Sequence, residues 1–282
     1  MKPNLCSLLA LLLLAPACGK KDPGTTNPDE VTDPDDGSGT KGSDEPQAEP
    51  PPPQDPDPAE LAAGIHEVLT GHYEEGIGVL EPVYSGLREP SQYRASGLAG
   101  GWLAVAHSQI VFENGEDPAK YALEMAGKLQ DPEVEAVAKL GRGAVLLAQE
   151  DYEAAKQALE GAAAAAPTSA PGIYAQLLHG EAFIGTAFGS AESTQVENPD
   201  DLEAAKTSYA AAVAAATGQS SEGDILLGRA KEGLAAVAKY QRDKDALCKN
   251  AFEAVDHYNA AGASSFLVDG PARLAADAKC KQ

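Results

Sequence analysis

Basic residues are scarce in this chain. Twenty-one Lys and Arg stand against 43 Asp and Glu, a formal net charge of −22 over 282 residues. Gripping a phosphate backbone needs clustered Lys and Arg, so nucleic acid is excluded as a partner. The same balance gives no electrostatic hold on anionic lipid. It suits a basic protein partner, or simply keeps the chain soluble. Aromatic residues are few, at 5% with a single Trp. The signatures of catalysis and metal binding are missing too. There is no HExxH, no His/Cys zinc spacing, no GxSxG elbow and no Gly-rich loop ending in Lys-Ser or Lys-Thr. His66, His72, His107, His179 and His257 form no such motif, and the six-residue step from His66 to His72 does not place them on one helix face. Carboxylates are so widespread that no catalytic pair stands out. The expectation is a protein with no enzymatic activity, metal or cofactor. The apolar run Leu8 to Leu14, broken by Ala10, is too short to span a bilayer, which takes about 20 residues.

What that run does fit is export. Lys2 supplies a positive start, the apolar run follows, and Ala15-Pro16-Ala17 is a small-residue cleavage site before Cys18. Residues 1–17 are therefore expected to be a signal peptide. Ordinary signal peptidase would cut between Ala17 and Cys18. The stretch ending in Cys18 also resembles the lipobox of bacterial lipoproteins, with Ala15 where that motif commonly has Leu. The resemblance implies that Cys18 is acylated and becomes the mature N-terminus. Gly19 follows, not the Asp that holds many Gram-negative lipoproteins at the inner membrane, which implies an outer-membrane anchor facing the periplasm. The remaining cysteines agree. Cys6 leaves with the leader, and Cys248 and Cys280 remain as a pair, either a disulfide or two free buried thiols.

Ten of the 20 prolines lie between Pro23 and Pro58. From Gly19 to Pro58 the only large aliphatic residue is Val31. Such a segment cannot offset the entropy of ordering itself, so residues 18–58 are expected to be a disordered, acidic, Pro-rich tether. Pro50 to Pro53 is a short polyproline II stretch, read as spacer rather than recognition motif. The 40 residues after Cys18 would reach roughly 120 Å fully extended.

From Ala59 onward, apolar residues recur at helical spacing and no run alternates as a strand would. The clearest unit is Ala136 to Pro167. Two amphipathic helices meet there at Gln149-Glu150-Asp151. Small residues at Gly143, Ala155 and Ala162 allow close approach, Tyr152 opens the second helix, and Pro167 ends it. Gly143, Tyr152, Ala155, Ala162 and Pro167 fall at the spacing of the tetratricopeptide repeat, and the chain resembles that family. Weaker units begin around Gly71–Gly76, Ser91–Phe112 with Pro118–Leu129, Leu177–Phe183 with Leu202–Ala212, and Glu222–Tyr240 with Asp245–Ala260. An insertion is expected at about 189–200. Gly97 to Gly101 reads as close helix packing before Trp102. A last helix, from Pro271 in its first turn to about Lys279, would cap the array, with Cys248 and Cys280 stapling it.

The expectation for residues 59–282 is thus an all-α solenoid of about five helix pairs plus a capping helix. Such a solenoid presents a concave groove to a partner. The chain would then be a lipid-anchored envelope scaffold for a protein or peptide partner. Trp102 is the candidate contact, or else plain core, as are Tyr121, Tyr174 and Tyr209. The alternative is a small-ligand-binding lipoprotein serving a transporter. That reading requires an enclosed cavity lined by Tyr and Trp instead of an open groove.

Overall fold

The computed structural model describes residues 50–188, 195–219 and 222–281. The signal peptide, Cys18 and most of the tether therefore lie outside the described residues. Those that are described form an all-helical structure with no strand. Eleven α-helices run in packed adjacent pairs: α1 (Ala59–Thr70) with α2 (Tyr73–Gly86), α3 (Tyr93–Ser108) with α4 (Glu116–Leu129), α5 (Pro132–Ala148) with α6 (Tyr152–Ala165), α7 (Ala170–Ala187) with α8 (Pro199–Ala216), and α9 (Gly223–Gln241) with α10 (Lys244–Ala260), followed by α11 (Ser265–Asp277).

Local chemistry sets the boundaries. Asp131 caps α5 by accepting from the Glu133 and Val134 amides, and Pro132 occupies the first turn, where no amide donor is needed. Asp151 caps α6, Ser169 caps α7 and Asp243 caps α10 in the same way. The α5–α6 turn falls at Gln149–Asp151, where helical periodicity breaks in the sequence. Pro167 follows the end of α6 at Ala165.

Close approach between helices is built from glycine against a large side chain. A Cβ on Gly143 would lie 2.5 Å from Leu159, its partner on α6. Tyr152 meets Gly185 of the following pair, and Ala155 and Ala162 are fully buried between helices. Tyr209 of α8 lies between Gly180 of α7 and Gly233 of α9. Backbone meets backbone between α3 and α5, where a Cβ on Gly101 would come within 2.6 Å of the Val137 carbonyl oxygen.

Three expectations need correction. Every residue of α3 from Ala95 to Ala106 is buried, which leaves no open groove along it. A helix that is apolar all round belongs in a core. Trp102 is 1% exposed and its ring meets that of Tyr174 edge-on at 5.9 Å, so it is core and not a partner contact. The tether, expected to run to Pro58, ends earlier. Gln54 and Asp55 hydrogen-bond to Pro90, Ser91 and the Arg94 amide, while the Arg94 guanidinium reaches Asp57, Asp131 and Glu133. Finally, α11 starts at Ser265, so Pro271 sits inside it. Leu267 lies close beside Gly71, and the missing Pro271 amide, midway along the helix, leaves one bond to the preceding turn unmade.

Candidate functional site

The end of α1 is where the array closes on itself. Its last carbonyls have no partner within the helix. The Leu69 carbonyl accepts from Arg229 on α9, at 3.3 Å from Nε and 3.0 Å from Nη2. The Thr70 carbonyl accepts from the Ser264 amide, in the turn before α11, at 2.9 Å. A cation at a helix C-terminus is also favoured by the helix dipole. Gly71 ends α1 with φ +83°. A side chain there would be strained and would strike Ser264 and Leu267. The first helix, the ninth and the segment before the last are thus fastened together through backbone capping.

Around that closure lies a polar centre. Arg229 also donates to the Tyr73 hydroxyl at 3.1 Å, and its guanidinium stacks over the Tyr174 ring at 5.0 Å. Glu232, one helical turn on and 7% exposed, accepts a 2.6 Å bond from the Tyr258 hydroxyl through Oε2. Glu181 of α7 faces the same space. These groups border a cavity of about 40 Å³, room for about three waters. Tyr174, Tyr209, Glu181, Arg229 and Glu232 are among its polar lining, and Leu177, Leu178 and Leu267 give it apolar wall. Gln109 and Phe266, the latter 44% exposed, stand at its rim.

Several of these atoms lack a partner. The Tyr174 and Tyr209 hydroxyls and Glu232 Oε1 are buried without a hydrogen bond. Such groups normally cost about 1–3 kcal/mol each. Burial pushes the Glu181 carboxyl up to about 7, against the opposing pull of Arg229. Burial likewise takes Glu232 to about 7, with the Tyr258 hydrogen bond and Arg229 opposing and Glu181 adding to the rise. Both carboxyls therefore exchange protons near neutrality. The centre can donate or accept hydrogen bonds to a small polar guest.

Of the residues singled out in the sequence, the structure brings Tyr174 and Tyr209 into this centre and sets Trp102 behind Tyr174. Tyr121 lies elsewhere, hydrogen-bonded to Ser96. Cys248 and Cys280 are joined as a disulfide, with Cα atoms 5.5 Å apart, tying α10 to the segment after α11. The histidines are dispersed: His257 pairs with Asp224 and His72 with Glu67. Among the described residues no group of three His, Cys, Asp or Glu is placed to hold a metal ion. Among the same residues no helix is long and apolar enough to cross a membrane.

Arg229, Glu181 and Glu232 were not singled out by the sequence, yet a signal is there. On α9, Ile225, Arg229, Glu232 and Ala236 recur at helical spacing. The two charges thus fall on the apolar stripe. Glu181 does the same after Tyr174 and Leu178. A charge inside a core stripe is the mark of a buried polar centre. No family model, no curated protein and no solved structure matches the chain.

Proposed function

We propose that the chain is an exported, lipid-anchored envelope protein whose tetratricopeptide-like helical domain is a ligand-binding module, with the closed polar centre as its site. The observation that carries this reading is the set of unpartnered buried atoms, Tyr174 Oη, Tyr209 Oη and Glu232 Oε1, beside a cavity that Gln109 and exposed Phe266 also line. A core selected for stability alone would fill such a space with apolar side chains, which is commonly neutral or stabilising. The leader, Cys18 and the acidic Pro-rich segment support the envelope anchor, and Gly19 supports outer-membrane sorting. The glycine-against-large pairing of helices supports the tetratricopeptide likeness. On this reading the lipid confines the module and the tether sets how far it searches.

A second reading, a scaffold for a basic protein partner, is favoured by one observation. Gln109 at the cavity rim leads directly into exposed Ile110 and Val111, 46% and 45% exposed, while Phe266 stands at the same rim. Apolar side chains beside a pocket are what a docking partner covers.

Two measurements test the proposal. In cells, wild-type chain should take up labelled fatty acid and pellet with membranes, and Cys18→Ser should do neither. In vitro, a melting-shift screen of small polar metabolites on the full chain should find a compound class whose effect disappears in Glu232→Gln. A screen in which no class behaves so would sink the ligand reading.

A further inference from the structure

Resting on that reading of the centre, we propose that its ligand carries a primary alkylammonium group, the head seated among Glu181, Glu232 and the tyrosines, and the alkyl stem leaving past the leucines. Three features of the cavity select this chemistry. The first is charge. Two carboxylates share the cavity with one guanidinium, and that guanidinium is already engaged by the Leu69 carbonyl, the Tyr73 hydroxyl and the Tyr174 ring. Arg273 of α11 also pulls on Glu232, and it does not line the cavity. Near neutrality the two carboxyls hold about one proton between them, and releasing it lets them take one further positive charge, whereas an oxyanion would face both carboxylates.

The second feature is hydrogen bonding. Glu232 Oε1 is a bare acceptor, and the Tyr174 and Tyr209 hydroxyl oxygens, each 1% exposed as residues, are without partners. An ammonium offers three donors, one for each of these three oxygens. Aromatic rings beside it add cation–π attraction, as Tyr174 already does for Arg229.

The third is shape. A space of about 40 Å³ holds an ammonium head and not a whole metabolite, since ordinary ligand pockets run to about 300 Å³ or more. Leu177, Leu178 and Leu267 are buried wall, and Phe266 is half exposed at the rim. Carboxylates and apolar side chains lining one cavity match an alkyl chain ending in ammonium. Such a group occurs on a free alkylamine and on a lysine side chain of a partner protein.

The experiment uses the full chain in detergent at constant ionic strength, followed by melting temperature and by Trp102 fluorescence. Trp102 contacts Tyr174, so it reports on the cavity floor. The probes are n-butylammonium, lysine capped at both ends of its backbone, and tetramethylammonium, which has the charge but no N–H donor. The expected result is a rise on the order of 5–10 °C at about a hundred times the dissociation constant with at least one donor-bearing probe. Tetramethylammonium should give under a tenth of that, and Glu181→Gln with Glu232→Gln should abolish it. Stronger binding by butylammonium assigns a free amine, and stronger binding by capped lysine assigns a partner's side chain. Equal shifts by all three probes, or shifts that survive in Glu232→Gln alone should the double variant not fold, overturn the ammonium assignment. So does the absence of any shift. If another compound class then shifts the wild type and not Glu232→Gln, the binding role stands and only this ligand falls.

Discussion

Replacing Glu232 by Gln removes a titrating charge while keeping the side chain's size and its acceptor for the Tyr258 hydroxyl. The carboxyl titrates at about 7 in the folded chain against an ordinary value of 4.5. Below pH 4.5 both folded and unfolded chains hold the proton, and the group contributes no pH dependence. Between 4.5 and 7 the unfolded chain releases it first, so the folded state loses ground as pH rises. Above 7 both are ionised and the loss is constant, at about 3 kcal/mol. Glu232 feels Arg229 on its own helix, Tyr258 on α10, Glu181 on α7 and Arg273 on α11. Glu181 titrates in the same range, so part of the effect is shared between the two. The gain in stability of Glu232→Gln over wild type should therefore grow from near zero at pH 4.5 to about 3 kcal/mol at pH 8.5. In melting temperature that is roughly 6–12 °C for a domain of this size. The assay is thermal and urea unfolding by circular dichroism at four pH values and fixed salt. General repulsion among the many surface carboxylates cancels in the comparison. A gain that stays flat within about 0.5 kcal/mol across that pH range refutes the reasoning.

Three other outcomes follow from the same structure. Gly101→Ala should destabilise the domain by about 1–3 kcal/mol, because its Cβ would meet backbone at Val137, while Gly78→Ala, exposed within α2 with open space around it, should stabilise by about 0.5–1 kcal/mol; urea midpoints read both. Cys280→Ser removes a closed loop with a sequence separation of 32, and should cost about 3–4 kcal/mol on the chain-entropy account; a loss no greater in Cys280→Ser than under reductant, with similar melting, is the matching control. Arg94→Ala frees Asp57 and Glu133, and should speed proteolysis between Gln54 and Pro58 without moving the main unfolding transition by more than about 1 kcal/mol; mass spectrometry of the nicked chain locates the cut.

The helix pairs were legible because local signals and burial agree. At Gln149–Asp151 the turn and the change of stripe coincide, so periodicity places the α5–α6 junction, while the start of α5, read at Ala136, lies four residues earlier at Pro132 behind its Asp131 cap. Trp102 was not legible. A lone Trp in a glycine-rich apolar helix looks the same whether it lines a groove or sits in a core, and only the packing of Tyr174 of α7 against its ring decides. The docked stretch before Ala59 was hidden by its composition. Its order comes chiefly from Pro90, Ser91 and Arg94, the last 37 residues beyond Asp57. The polar centre was half visible. Arg229, Glu232 and Glu181 stand on apolar stripes, but each belongs to a different contact until the helices are brought together, and the unpartnered hydroxyls of Tyr174 and Tyr209 have no mark in the sequence at all.

The most direct test of the buried centre is a carbon-13 NMR titration of the glutamate side-chain carboxyls in the full chain, with Glu181→Gln and Glu232→Gln for assignment. The account predicts two glutamate signals titrating near 7, each removed by one variant, while the bulk titrate close to 4.3. If every glutamate finishes titrating below about pH 5.5, Glu181 and Glu232 are solvated, and the closed polar centre on which the binding role rests does not exist.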